Sequence, residues 1–410
     1  MILFLIIPVY ILVNLYILHR IHKWLKACSR HFHSRWFVVP FISVYAFFAL
    51  SLLFAFLLPS GSLQIFIKKL SNYWLGTFMY ILLFILVADI LRLILKHIPG
   101  KLHDFLFSKP GYVFVGIFLT CLIGGFSIHG LLHAHYIKVN PYEVTVDKTC
   151  VGHEDLKVVL VADLHLGYSV GNQQMKQMVK KINQQNPDLV LIAGDIFDNE
   201  YEALQHPDAI AETLAQIKST YGTYGVFGNH DVKERLLGGF SVASSDNDIR
   251  DSRFEEFAAK AGIHILDDEV VCIDDSFYLV GRKDAHKPGD GTNNRMEPSE
   301  ILSGLDNSKP ILVMEHQPRQ LQELADAGAD MQLCGHTHNG QIFPGNLTIH
   351  LFWENACGYL QKGNLHSIVT SGVGVWGPAM RVGTDSEICT ITVHFKNSEQ
   401  SGQAPEGFIS

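Results

Sequence analysis

Five polar blocks in the second half of the chain carry residue types that bind metal ions. Each block follows a short apolar run with β-branched residues, a pattern that predicts a buried strand. The blocks are Asp163-Leu-His165, Gly194-Asp195, Gly228-Asn229-His230-Asp231, Glu315-His316 and Gly335-His336-Thr337-His338. Because open α/β sheets place their sites at the carboxyl ends of strands, we expect these side chains to meet at one edge.

The donor set indicates more than one metal ion. It combines carboxylates, an amide and several imidazoles, which together exceed what a single ion needs. Mixed oxygen and nitrogen donors suit borderline divalent metals such as Mn, Fe or Zn. Asp195 is the expected bridging ligand. Each motif occurs by chance when taken singly, but five in a fixed order, each ending an apolar run, make a specific signal.

The blocks resemble the pattern of the calcineurin-like metallophosphoesterases over about residues 156–395. With the apolar amino-terminal stretches and the motifs at residues 335–341 and 377–383, the chain is similar to the transmembrane members that carry a YkuE-like domain. The resemblance implies two divalent ions, Mn, Fe, Zn or Mg, that activate water to hydrolyse phosphate mono- or diesters. It implies no covalent enzyme intermediate.

The resemblance also implies roles for individual residues. The first metal would be held by Asp163, His165 and His338, the second by Asn229, His316 and His336, and both by Asp195. His230 would donate to the phosphate or leaving group, and Asp231 would orient it. Many relatives have Arg after Gly-Asp-x-x-Asp where this chain has Asn199, so one phosphate contact is expected to be missing. Arg381 is the substrate-binding residue expected to replace it.

The apolar residues concentrate before Lys138, which predicts three regions: a transmembrane helical region at 1–135, a catalytic domain at 136–396, and a polar, disordered tail at 397–410. A helix needs about 20 apolar residues to cross a bilayer. Four stretches approach this length, namely residues 2–18, 37–58, 74–95 and 112–132. We therefore expect about four spans and a multi-pass integral membrane protein.

Basic residues between the apolar stretches predict the orientation. The first loop carries Arg20, Lys23, Lys26, Arg30 and Arg35. The third loop is also basic, whereas the second has only Lys68 and Lys69. The positive-inside rule places the first and third loops in the cytoplasm. The catalytic domain is then predicted to be extracytoplasmic.

From residue 173 onward, helical patterns alternate with strands and then give way mostly to strands. This order predicts an α/β sandwich of two mixed β-sheets flanked by helices, after an all-α transmembrane bundle. Between residues 342 and 360, Leu347, Ile349 and Leu351 alternate with period two, which favours a pair of strands. Phe352 and Trp353 break the alternation, so at least one should face outward.

These patterns favour a membrane-anchored phosphoesterase acting on a phosphorylated, lipid-linked substrate. The net charge of −8 and the lack of a Lys and Arg cluster in the second half disfavour nucleic acid as a partner. Two alternatives stay open. One is a pyrophosphatase of the UDP-diacylglucosamine type in lipid A synthesis, which the outward topology disfavours because that substrate is cytoplasmic. The other is a non-catalytic, metal-stabilised scaffold, which a missing ligand would have favoured.

Overall fold

The chain forms two compact units. The computed structural model describes residues 2–59, 61–237, 240–242, 249–292 and 294–396. The first unit consists mainly of residues up to Leu132, and the second mainly of residues from His133 onward. The predicted disordered tail, residues 397–410, lies outside the described residues.

The first unit is helical. Its helices are α1 (Ile2–Cys28), α2 (Arg35–Leu57), α3 (Ser62–Leu95), α4 (Lys101–Phe107) and α5 (Lys109–His133). Ile17 of α1, Tyr45 of α2 and Phe78 of α3 are buried in one apolar cluster.

Three helices in the described chain, α2, α3 and α5, are long and apolar enough to cross a membrane. The first predicted stretch lies in α1, which is not one of these three helices, and the number of about four spans stays a prediction. This helix buries Ile17 completely and so contributes to the packing of the unit.

The second unit contains two six-stranded sheets, and residues 235–237 and 240–242 form a two-stranded ribbon. The strands are β1 (Ile137–Val146), β2 (Asp155–Val161), β3 (Leu189–Ala193), β4 (Thr223–Val226), β5 (Arg235–Leu237), β6 (Phe240–Val242), β7 (Ile263–Ile265), β8 (Glu269–Ile273), β9 (Phe277–Gly281), β10 (Ile311–Met314), β11 (Met331–Cys334), β12 (Gly358–Lys362), β13 (Leu365–Val369) and β14 (Ser386–Phe395). The helices are α6 (Asn172–Gln185), α7 (Pro207–Leu214), α8 (Ser252–Lys260), α9 (Pro298–Ile301), α10 (Leu321–Asp326) and α11 (Gly345–Thr348).

Both large sheets mix parallel and antiparallel pairs. The first has the order β1-β14-β2-β3-β4-β7, and only the β14–β2 pair is antiparallel. The second has the order β12-β13-β11-β10-β9-β8, with antiparallel pairs at its two edges. The ribbon pairs β5 with β6.

The core lies between the two large sheets. Leu160 and Leu191 of the first sheet are buried in the same cluster as Leu312 and Leu333 of the second. On the other face of the second sheet, Val313 packs with residues of α9 and α10. The predicted fold class, two mixed sheets with flanking helices after a helical region, is therefore confirmed.

The predicted pair of strands around residues 347–351 is wrong. Residues Gly345–Thr348 form α11, and Ile349–Leu351 form a single 3₁₀ turn. Leu347 and Leu351 are four residues apart, a helical spacing, and both are exposed. The period-two pattern misled because a short apolar run fits a strand and a helix equally well when burial is unknown.

Candidate metal centre

The ends of five parallel strands position the predicted ligands. Asp163, Asp195 and Asn229 lie just beyond the carboxyl ends of β2, β3 and β4 in the first sheet. In the second sheet, His316 and His336 lie just beyond the ends of β10 and β11. Each run is apolar because its strand is buried, and the chain becomes polar where it leaves the sheet.

Asp163, His165 and His338 form the first ligand group, with their ligand atoms within 4.8 Å of one another. The Nε2 atoms of His165 and His338 are 3.0 Å apart. His338 Nε2 also lies 3.6 Å from Asp163 Oδ1. All three residues are buried.

Asp195, His316 and His336 form the second ligand group. His316 Nε2 lies 3.1 Å from Asp195 Oδ2 and 3.1 Å from His336 Nδ1. Asp195 Oδ2 is also 3.7 Å from Nε2 of His165, which belongs to the first group. The Asp195 carboxylate therefore joins the two groups, as a bridging ligand would.

Two further features show that the residues fit metal ions. Asn229 Oδ1 is buried, and no described residue donates a hydrogen bond to it. Buried acceptors in native proteins nearly always have a partner, so this oxygen is suited to a metal ligand. His316 Nδ1 donates to the carbonyl of Ala193 at 2.9 Å, which leaves the Nε2 lone pair for a metal.

The two groups differ from ordinary buried side chains in their protonation. Burial alone would raise the pKa of Asp195, but His316 and His230 hold it well below its usual range. Burial would lower the pKa of His316, but the Asp195 carboxylate raises it to about 10. Burial lowers the pKa values of His336 and His338 well below normal, so both imidazoles are neutral and able to ligate.

Backbone strain concentrates at the ligands. Five of them have a left-handed backbone: Asp163 (φ 53°), His165 (φ 45°), Asp195 (φ 49°), His336 (φ 75°) and His338 (φ 50°). Such conformations are uncommon for residues with a side chain and cluster at functional sites.

Two glycines allow the ligand loops to approach each other. A Cβ atom on Gly194 would lie 2.6 Å from Nδ1 of His316. One on Gly228 would lie 2.3 Å from Oδ1 of Asp195. Both distances are too short for real contacts, which explains why Gly precedes Asp195 and Asn229 in the motifs.

The surroundings of His230 differ from the predicted arrangement. The Asp231 carboxylate accepts hydrogen bonds from the backbone amides of Ile196, Phe197 and Gly228 at 3.2, 2.7 and 2.7 Å. The group beside His230 Nδ1 is instead Asn199 Oδ1, at 2.6 Å. Asp231 therefore fixes the loops around the site, and the prediction that it orients His230 does not match these contacts.

Asp198 is a second acidic residue beside His230. Its Oδ1 atom lies 3.6 Å from His165 Nδ1 and 3.9 Å from His230 Nδ1, and the three residues form a further group of potential ligands. The spacing Gly194-Asp195-x-x-Asp198 could have indicated that Asp198 belongs to the site, since both carboxylates follow the same strand. No sequence pattern indicates which acid approaches His230.

Arg381 is not placed to bind substrate. Its side chain is completely buried. The guanidinium Nη2 donates to the carbonyls of Ser371 at 2.6 Å and Gly374 at 2.7 Å, and Nη1 donates to the carbonyl of His338 at 3.3 Å. Because backbone carbonyls use these donors, Arg381 supports the His338 loop, and its prediction as a phosphate contact is not supported by these contacts.

Of the two aromatic residues that follow the ligand block, Phe352 faces solvent and Trp353 contacts a ligand. Phe352 is 78% exposed, as predicted for at least one of the two. Trp353 is half-buried, and its ring centroid lies 5.1 Å from that of His336 in a T-shaped contact. Sequence reasoning missed this contact because no motif links Trp353 to the ligands.

Comparisons with known proteins agree with this geometry. The family model described as calcineurin-like phosphoesterase matches residues 156–340, which include every predicted ligand. An uncharacterised metallophosphoesterase of Helicobacter pylori is 30% identical over 305 residues, covering 72% of this chain and 75% of the relative. The metallophosphoesterase YkuE of Bacillus subtilis is 26% identical over 287 residues, covering 67% of this chain and 91% of the relative.

The name of a eukaryotic relative mentions both a transmembrane protein and a metallophosphoesterase domain. The Danio rerio "Transmembrane protein with metallophosphoesterase domain" is 32% identical over 285 residues, which cover 65% of this chain. The match spans 60% of that relative's own length.

Proposed function

Because this chain belongs to the calcineurin-like metallophosphoesterase family, we propose that its second unit hydrolyses phosphate esters with two divalent metal ions. The observation that carries the proposal is Asp195, whose carboxylate oxygen lies 3.1 Å from His316 Nε2 and 3.7 Å from His165 Nε2. One carboxylate thus serves two complete ligand groups. A scaffold without turnover would not need this arrangement beside His230, which lies outside the two groups that Asp195 joins.

Different side chains would bind the metal ions, donate to the leaving group and orient the donor. Two bound divalent ions would lower the pKa of a bridging water and stabilise charge on the phosphate oxygens. His230 contributes a proton or hydrogen bond to the leaving group. Asn199 Nδ2 donates to the carbonyl of Val232 at 3.0 Å, so Asn199 Oδ1 is the acceptor for His230 Nδ1. The opposite nitrogen, Nε2, faces no such acceptor and carries a proton to donate when the imidazole is protonated.

The proposed location is extracytoplasmic. Whether or not α1 crosses the membrane, the basic residues before α2 and between α3 and α5 favour the cytoplasmic side. The segment after α5 is then on the opposite side.

The proposed substrate is a lipid-linked phosphate. Leu351 is 81% exposed, and with Leu347 and Phe352 it forms an exposed apolar segment that closely follows the ligand His338. Exposed apolar groups of this kind mark sites that bind apolar ligands or membrane interfaces. Helix α5 ends at His133 and strand β1 begins at Ile137, so the connection between the apolar helices and the second unit is short. This short connection also favours a substrate in the bilayer.

Hydrolysis assays of the full chain test both parts of the proposal. Phosphomonoesterase and phosphodiesterase activity should appear with Mn, Fe, Zn or Mg, and a complete lack of turnover with every metal would reject the enzyme. Replacing Leu351 and Phe352 by Ser should lower activity on a phospholipid but leave bis(p-nitrophenyl) phosphate hydrolysis unchanged. Val151→Ser, at another exposed apolar residue, is the matched control. Equal loss on both substrates would reject the lipid link.

A further inference from the structure

A cation lies one aromatic ring away from the metal centre. The guanidinium carbon of Arg319 is 4.9 Å from the ring centroid of Trp353. Trp353 in turn packs against His336, with a centroid distance of 5.1 Å and an interplanar angle of 72°. The cation–π contact and the ring contact together connect Arg319 to a predicted metal ligand.

The Arg319 side chain is held in place while its outer donors stay available. Its Nε atom donates to Gln317 Oε1 at 3.0 Å. In the described part of the chain, no hydrogen bond or ion pair involves its two terminal nitrogens, and the residue is exposed. A guanidinium fixed on one side presents its planar fork to an anion with little further loss of conformational entropy.

The neighbouring arginines are already occupied. Arg282 donates to Glu315 Oε2 at 2.9 Å, and Arg295 pairs with the same carboxylate. Arg381 donates to backbone carbonyls. The family resemblance leads us to expect a further arginine where Asn199 stands. Arg319 therefore offers hydrogen-bond donors to a substrate, whereas those of Arg282, Arg295 and Arg381 are already used.

The position of Arg319 limits what it can contact. The Trp353 ring lies against both His336 and the guanidinium, so Arg319 reaches beyond the ligand groups themselves. A phosphate held by the metal ligands would have its own partners there.

We propose that Arg319, supported by Trp353, binds a second anionic group of the substrate, namely the neighbouring phosphate of a diphosphate. The inference rests on the proposed function for the identity of the reacting phosphate. It makes a diphosphate-bearing ester a better ligand than a simple phosphate ester, because a charged hydrogen bond adds to the binding.

Calorimetric titration of the Mn-loaded full chain tests this directly. Inorganic pyrophosphate should bind about 10-fold or more weakly to Arg319→Gln than to wild type, while orthophosphate binding changes less than about twofold. Arg319→Lys should show an intermediate loss because an ammonium lacks the planar fork. Lys180→Gln removes one charge from the exposed face of α6 and should behave as wild type. Arg319→Met keeps an apolar side chain on Trp353 if the Gln variant does not fold.

Unchanged pyrophosphate binding, or an equal loss for both anions, would overturn the proposal. Because binding does not require turnover, Arg319-dependent pyrophosphate binding by a chain that hydrolyses nothing would reject the proposed function alone. Titration with a nucleoside diphosphate and with farnesyl diphosphate in detergent distinguishes the two sources of such a group. The binding of both compounds should depend on Arg319, and the compound that binds more tightly identifies the chemical class of the substrate.

Discussion

Asn199 Oδ1 accepts a hydrogen bond from His230 Nδ1 at 2.6 Å. The family resemblance leads us to expect an arginine at this position, and here Asn199 holds the imidazole proposed to act on the leaving group. Its backbone amide also donates to the carbonyl of His230 at 3.0 Å. Asn199 therefore makes a contact that orients His230 in place of the expected phosphate contact.

Removing this contact should slow the reaction without removing the metals. We expect Asn199→Ala to lower kcat about 10-fold with KM little changed, because a misplaced general acid weakens only the transition state. His230→Ala should cost on the order of 10²-fold or more and should also retain the metals. Metal analysis with steady-state kinetics measures both effects. Loss of metal from either variant would show that the pair belongs to the ligand set.

Asp231 should affect stability more than chemistry. Its buried carboxylate accepts three backbone amides, and an Asn side chain has only one acceptor oxygen for them. We expect Asp231→Asn to lower the free energy of unfolding by about 1–3 kcal/mol for each amide left without a partner. Thermal unfolding of the full chain in detergent measures this, with the exposed Glu256→Gln as control. A stable Asp231→Asn variant with a large loss of kcat would instead support the predicted catalytic role of Asp231.

Metal uptake should release protons. In the metal-free protein the Asp195 carboxylate raises the pKa of His316 to about 10, above its ordinary value of 6.5, so His316 is protonated at pH 7. A metal must displace that proton, and its apparent affinity should rise up to tenfold per pH unit toward pH 10. Correspondingly, this ion pair stabilises the metal-free fold fully below pH 6.5 and is lost as the pH approaches 10.

Calorimetry of metal binding in buffers of different ionisation enthalpy counts the protons released at pH 7. We expect about one proton from His316 per chain. A metal affinity independent of pH between 6 and 9 would contradict this assignment.

The orientation of the second unit can be read with reporters. We expect an export-dependent reporter fused after Phe395 to be active and a cytoplasm-dependent one to be inactive, because the basic residues before α2 outweigh those that follow it. Adding basic residues between α2 and α3 should reduce this difference. The opposite pair of readings would place the second unit in the cytoplasm and would favour the UDP-diacylglucosamine pyrophosphatase alternative.

The sequence predicted the parts of the site that depend on strand ends. Asp163, Asp195 and His316 each follow a buried apolar run, and the fold brings such ends together. It did not predict Arg319 or Trp353, because a contact between two loops has no periodicity or spacing to reveal it. It also misplaced Arg381, because charge alone does not show whether backbone carbonyls already use a guanidinium.

The membrane region shows a similar limit. Hydropathy located α2, α3 and α5, since a span depends on length and composition. Hydropathy does not show which apolar residues pack the helical unit, because these residues look like those that face lipid. Ile17 is such a residue, completely buried within the first unit.

Titration of the metal-free full chain with Mn²⁺, followed by hydrolysis of bis(p-nitrophenyl) phosphate, tests the central claim most directly. We expect activity to rise until two ions are bound per chain and then stay constant, because Asp195 joins two ligand groups. Asp195→Asn should take up little metal and show no turnover. A plateau at one ion per chain, or full activity of Asp195→Asn, would contradict the dinuclear centre.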